Sequence, residues 1–198
     1  MYVYSSSEYS IIMQSFSPSI GGLSPRYVIM GFLYFHPMHG YDLHKCLSSD
    51  LHEVWHVSQS QVYSVLKNLN RYGLIISTHL NEGKKRGRDL YSLTDQGRSE
   101  FITWLYQPTP VSVRSIRVEF ISRMYFASQL SGELCDQLIK EQVGCIRAAI
   151  TELKSRYQRI PPTQLFNQMG LELRIRQLNG VLDWIEHIWP SVLELESM

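Results

Sequence analysis

The chain has 198 residues, enough for one large domain or two small ones, and its 44% hydrophobic and 19% charged content exclude a disordered or fibrous protein. A formal net charge of +1 excludes a global basic field, so affinity for nucleic acid has to come from local clusters. Cys46, Cys135 and Cys145 are odd in number and lack CxxC spacing, which argues against a disulfide framework and fits a reducing, cytoplasmic setting.

No apolar run approaches the ~20 residues of a membrane-spanning helix, and the first residues do not have the basic-then-apolar order of a secretory signal. Residues 1–22, rich in Ser and Tyr and ending in Gly21–Gly22, read as a flexible arm. Order is expected from Leu23. Ser24–Pro25 marks a helix start with proline in the first turn, and Val28, Ile29, Phe32, Leu33 and Phe35 follow as core-facing positions. Pro37 stops this helix, and His39–Gly40 reads as a turn. A short second helix, from about residue 41 to 47, is expected to bury Tyr41, Leu43 and Leu47.

The stretch 57–73, VSQSQVYSVLKNLNRYG, carries the strongest signal. Ser58 and Gln61 have the spacing of a reciprocal capping box, and Val62, Val65, Leu66 and Leu69 recur at helical spacing. Gln59, Ser60, Gln61, Ser64, Lys67 and Asn68 occupy the other side, and Gly73 ends the helix. Taken alone, the pattern fits either an ordinary amphipathic surface helix or a helix that reads the DNA major groove.

The neighbouring segments favour the second reading. Helix, helix, turn, helix is the helix-turn-helix order. Residues 74–80 and 90–93 read as two strands of a hairpin, the wing of a winged helix, and its turn gathers Lys84, Lys85, Arg86 and Arg88 for phosphate or minor-groove contact. Thr94 caps a further helix with Phe101, Trp104 and Leu105 inside, and Pro108 and Pro110 mark a boundary. The expected organisation is therefore an arm at 1–22, a winged-helix DNA-binding domain at 23–107 and a helical domain at 108–198. The fold class is mainly α with a small two-stranded β wing.

In the second half, helices are expected over 112–129, 133–158 and 164–189, with Pro161–Pro162 between the last two. Leu171, Ile175, Leu178, Leu182, Ile185 and Trp189 alternate spacings of four and three, a heptad seam read as a coiled-coil dimer interface. Packing of the same seam inside one chain is the plainer alternative.

Several pieces, in order, resemble the PadR-like family of bacterial transcriptional regulators. They are LSPRYVIMGFL (23–33), HGYDLHK (39–45), SQSQVYSVLKNL (58–69), YGLI (72–75) and YSLTDQGR (91–98). The helical second half looks like the C-terminal domain of larger PadR-like and AphA-like members. The resemblance implies a winged helix followed by a helical dimerisation domain, a homodimer on double-stranded DNA, and usually repression, in some members relieved by a small molecule. It places Gln59, Ser60, Gln61, Tyr63, Ser64 and Lys67 on the recognition helix, with Tyr63 matching the family's usual tyrosine. Ser64 stands where the family commonly has proline, and the wing is more basic and lacks the family's proline.

His52–Glu53–Val54–Trp55–His56 matches the zinc-hydrolase HExxH pattern, but that chemistry needs a sustained helix and a third ligand. Here the motif falls in a loop, so no catalytic residue, metal or cofactor is expected. Six of the seven histidines lie between His36 and His79; they read as ordinary surface or core side chains. A small-molecule effector would sit between the domains, near Trp104, Phe120 or Met124. The competing function is a winged helix that binds proteins rather than DNA, which would present an apolar patch at the recognition helix.

Overall fold

The computed structural model describes residues 23–80 and 88–196, and of Leu80, Arg88 and residues 188–196 the backbone alone. The expected arm at 1–22 and the wing-tip cations Lys84, Lys85 and Arg86 lie outside the described residues, as do the side chains of Arg88 and Trp189.

Helix α1 (Arg26–Phe35) starts one residue after Pro25, whose carbonyl accepts from Ile29 N–H at 2.9 Å, and it buries Val28, Ile29, Met30, Phe32 and Leu33. His36 is already extended, with φ −148°, because the following proline disfavours helical geometry there. The turn expected at His39–Gly40 is not what forms. Met38–His39 is a short strand, β1, and Gly40 is the first residue of α2 (Gly40–Asp50). β1 acquires its geometry from distant partners: Met38 pairs with Tyr91 and His39 with Leu90 on β3 (Arg88–Leu93). Leu43 and Leu47 are buried on α2 as expected, but Tyr41 is 55% exposed. Gly40, Leu43 and Leu47 fill the single inward stripe of this short helix, which leaves Tyr41 outside.

Helix α3 (Gln59–Arg71) is followed by β2 (Ile75–Leu80), which pairs antiparallel with β3 from Ile75↔Leu93 to Leu80↔Arg88. The wing therefore has three strands in the order β1-β3-β2 rather than two. Thr94 caps α4 (Asp95–Tyr106): its hydroxyl accepts from Gly97 N–H at 3.1 Å and donates to Gly73 O at 2.7 Å. A Cβ at Gly97 would lie 2.0 Å from Leu74 O, so the tight approach of α4 to β2 requires glycine.

Beyond Pro110, α5 (Val113–Ser115), a π-helical turn (Ile116–Phe120) and α6 (Ile121–Ser128) run on as one rod. This rod packs into the winged helix across the expected boundary. Phe126 is fully buried, edge-on to Phe32 (5.4 Å) and Phe101 (5.6 Å), and its ring occupies the space where a Cβ of Gly31 would be. The linker before the rod is clamped from two sides. Gln142 exchanges two hydrogen bonds with the Thr109 backbone (2.9 and 3.0 Å), and Arg123 donates to Thr109 Oγ1 (3.0 Å) and to Gln107 O.

Ser131 caps α7 (Gly132–Arg159), which α8 (Leu165–Glu196) follows after the Pro161–Pro162 turn. These two helices pack on each other, with Arg147 and Glu186 paired across them at 2.6 Å. Leu178 and Ile185 are each only 2% exposed within a single chain, and Leu171, Ile175 and Leu182 are half-buried against the same core. Two members of the seam read as a contact between chains, Leu178 and Ile185, are thus covered within one chain by the packing of α8 on α7. Among the described residues no helix is long and apolar enough to cross a membrane.

Candidate nucleic-acid interface

The interface is built on α3, and its start is fixed locally. Ser58 Oγ accepts from Gln61 N–H at 3.3 Å while Gln61 Oε1 accepts from Ser58 N–H at 2.8 Å, which completes the capping box. At the far end Gly73 takes φ +69°, and Leu74 N–H returns to Leu69 O at 3.0 Å, the left-handed stop that glycine permits. Val62, Leu66 and Leu69 are each 0% exposed and Val65 is half-buried beside them, so the outward face cannot rotate in.

The outward face carries Gln59, Ser60, Gln61, Tyr63, Ser64 and Lys67, all exposed and all on one helix, as expected. Their roles are not equivalent. The carbonyl oxygen of Gln61 is committed to the cap, so a two-pronged contact of this amide with adenine would have to break that bond. Gln59, two positions earlier, keeps its amide on the open surface. Tyr63 is 43% exposed and lies against Gly40, where a Cβ would come within 2.6 Å of its ring. α2 therefore holds the ring in place while leaving part of it open.

Two residues join this surface that sequence reasoning placed elsewhere or passed over. Tyr41, turned outward at the start of α2, follows directly on the Gly40 contact with Tyr63. Arg71 is one helical repeat beyond Ser60, Ser64 and Lys67 and is exposed, with its guanidinium 4.9 Å from the Tyr72 ring and Nη2 donating to Tyr72 Oη at 3.1 Å. Its periodicity with Ser60, Ser64 and Lys67 was the available signal.

At the base of the wing, Asp89 is held from both neighbouring strands. His79 Nδ1 lies 2.9 Å from its carboxylate and His39 Nδ1 lies 3.0 Å from its carbonyl oxygen. These contacts tie β1 and β2 to β3 near the end of the described hairpin.

Behind α3, the segment that leads into it is tied to the rod. Trp55 is buried, and its indole N–H donates to Ser122 Oγ at 2.8 Å; Ser122 in turn donates to Val118 O at 2.6 Å inside the π-helical turn. Tyr125 Oη donates to Asp50 at the end of α2 at 2.6 Å. Burial, then the hydrogen bond to Asp50, raises the Tyr125 phenol, so it stays protonated and remains a donor.

Other candidate chemistry does not assemble. His52 and His56 are exposed in the turn after α2 with ring centroids 5.1 Å apart, and among the described residues no group of three or more His, Cys, Asp or Glu could hold a metal ion. Burial and the nearby Asp50 and Asp42 raise the Cys46 thiol, the opposite of an activated cysteine. Trp104, Phe120 and Met124 are buried, and Trp104 is stacked on Tyr27 (5.0 Å) and touched by the Arg123 guanidinium (4.9 Å).

Known proteins share both halves of this arrangement. Residues 29–102 match the model of the transcriptional regulator PadR-like family, and residues 116–189 match the virulence activator alpha C-terminal model. The negative transcriptional regulator PadR of Bacillus subtilis is 32% identical over 137 residues, 68% of this chain and 74% of that one. Among solved structures, Bacillus subtilis PadR in complex with operator DNA is 27% identical, covers 82% of this chain and 94% of its own, and gives a TM-score of 0.41. The same protein in complex with p-coumaric acid is 26% identical over 85% of this chain and 98% of that one, with a TM-score of 0.38.

Proposed function

This chain belongs to the PadR-like family of transcriptional regulators, and from that premise we propose that it is a repressor that binds a pseudo-palindromic operator as a homodimer. The observation that carries the reading is the division of α3: three leucine and valine side chains at 0% exposure on one side, and an amide- and hydroxyl-rich face with a single lysine before its last turn on the other. Such a face offers donors and acceptors to base edges with little charge to bind DNA indiscriminately.

Gln59, Ser60 and Ser64 are the base readers, with Gln61 serving the cap first. Tyr63, Lys67, and the wing cations Lys84, Lys85, Arg86 and Arg88 hold phosphates, and Tyr41 and Arg71 extend that grip on the DNA backbone. Two recognition helices related by a two-fold axis fit half-sites one helical turn apart. The competing reading, a winged helix that docks on protein, lacks an apolar patch on α3; the large exposed apolar side chains at this face are tyrosines.

The test is footprinting at the strongest site recovered by genome-wide pull-down, followed by titration of wild type and a Lys84→Ala/Lys85→Ala/Arg86→Ala variant across salt concentrations. The variant should weaken binding to operator and random DNA alike and reduce the log–log salt slope by about 0.9 for each phosphate it no longer neutralises. An unchanged slope would remove the wing from the interface. Regulation by a small aromatic acid is carried over from the relative solved with p-coumaric acid, and a phenolic acid is expected to lower operator affinity in the same titration.

A further inference from the structure

At the root of the wing, histidines from two different strands close on one aspartate of β3. Ser77 is paired with Tyr91 and His79 with Asp89, so the two-residue period of a strand puts all four side chains on one face of the sheet. Burial first, then Asp89 and Tyr63, raises the Tyr91 phenol, which sets the exposed tyrosine of α3 within electrostatic reach of that face. On the other side of β3, His39 pairs with Leu90 and is followed by Gly40, the residue packed against the Tyr63 ring. Both histidines therefore lead from the wing back to the outward face of α3.

Each imidazole is held by the same nitrogen, and its partner fixes the tautomer. His79 Nδ1 is 2.9 Å from Asp89 Oδ1 and His39 Nδ1 is 3.0 Å from Asp89 O. A carboxylate and a backbone carbonyl accept only, so both Nδ1 atoms carry the hydrogen. Nε2 of each ring is left without a partner among the described residues. In a neutral ring that nitrogen is a bare acceptor, and a phosphodiester oxygen is an acceptor too. A hydrogen bond between them needs a proton on Nε2; the ring then donates from both nitrogens, to Asp89 on one side and to phosphate on the other. Stability does not explain the arrangement, since the His79 and Asp89 side chains are 58% and 49% exposed and ion pairs so exposed add little to a fold.

We propose that His79 and His39 are DNA phosphate contacts that bind as imidazoliums, so that the protein takes up protons as it binds its operator. The proposal rests on the DNA-binding reading above and adds a titrating pair to its permanently charged contacts. A ring that is neutral in the free protein and protonated on DNA ties binding to proton uptake. Affinity therefore falls as pH rises through the range where imidazole changes charge, about pH 5 to 8. On the elements packed here the other titratable groups are Asp89 and Tyr91 of β3, Tyr63 of α3, and Tyr41 and Asp42 in the first turn of α2. Carboxyls, phenols, ammonium and guanidinium groups ordinarily titrate outside that range, so the wing lysines and arginines shape the salt dependence and the histidines the pH dependence.

The test follows the affinity of the full chain for a duplex carrying the footprinted operator, by fluorescence anisotropy at constant salt from about pH 6 to about pH 8. Wild type should weaken on the order of 10-fold across that range. His39→Gln/His79→Gln, whose amides take up no proton, should lose most of this dependence, whereas His36→Gln, altered in the exposed bend before β1, should keep it. Neither ring of the pair is buried, so far-UV circular dichroism should stay unchanged. Calorimetric titration of wild type with the same duplex, in two buffers of different ionisation heat, counts the protons without any variant and should find uptake near neutral pH. No uptake by wild type, or a pH dependence that survives in the double variant, overturns the proposal and leaves DNA binding standing. A wild type that binds no DNA at any pH overturns the DNA-binding reading as well.

Discussion

Helices α3 and α8 are alike on the inside and opposite on the outside. Each buries an aliphatic stripe against the rest of its own chain: Val62, Leu66 and Leu69 on α3, Leu178 and Ile185 on α8. Outward, α3 presents amides, hydroxyls and one lysine before its last turn, whereas α8 presents Phe166, Met169, Leu173 and Trp184. Inner faces of this kind say only that a helix is held. The outer face reports the partner, because a surface of directional donors and acceptors is matched by base edges and an apolar surface by another apolar surface.

The largest effects should come from the inner faces, where the two helices ought to behave the same way. Leu66→Ala and Leu178→Ala each remove a side chain with almost no exposure, so each should cost about 2–5 kcal/mol in urea unfolding. A loss at Leu178 well below that range would mean that α8 is held mainly by its outer face and would break the parallel.

Outer-face changes should separate the helices. Gln59→Ala should leave stability within about 0.5 kcal/mol. It should also remove about 1–3 kcal/mol of discrimination between operator and a single-base variant, measured by competition binding. Equal losses on all DNA would reassign Gln59 to the backbone. Ser58→Ala tests whether α3 needs its cap for stability as well as orientation. The loss of the hydroxyl that accepts from Gln61 N–H should lower stability by about 1 kcal/mol, while the Ser58 backbone N–H still donates to Gln61 Oε1.

The smallest effect concerns the rod between the two helices. Glu119 lies 3.9 Å from Arg123; burial raises the carboxyl and lowers the guanidinium to about 10, so in both cases desolvation outweighs the attraction of the pair. A carboxyl raised on folding adds stability that is complete below its unfolded value and is lost as pH rises through its folded value. Glu119→Gln should flatten that part of the stability–pH curve, and an unaltered curve would mean that the carboxyl is solvated.

What could be read from the sequence divides along a physical line. The capping box at Ser58, the stop at Gly73 and the Thr94 cap are decided by residues within three or four positions of each other, and all three formed as expected. The stripes on α3 and α8 were also legible, since periodicity encodes which residues share a face. What a stripe packs against is not local. The Leu171–Ile185 seam reads the same whether its partner is α7 or a second chain, and the burial of Leu178 and Ile185 becomes visible only in the fold. β1 was missed because two residues become a strand only when Tyr91 and Leu90 come to lie beside them. Tyr41 was misplaced because a helix of eleven residues with aliphatics and glycine at several spacings does not fix its own inward direction.

The hydrogen bond from Trp55 to Ser122 makes the joint between the halves optically readable. The indole is three residues ahead of the cap of α3 and is anchored on Ser122 at the start of α6 in the rod, so its emission depends on whether that bond and its apolar cover are intact. With Trp104, Trp184 and Trp189 replaced by phenylalanine, the remaining tryptophan would act as a single-site gauge. It would distinguish a regulator that swings its recognition helices as rigid bodies from one that loosens them at the root, and operator or effector could be titrated against its colour alone.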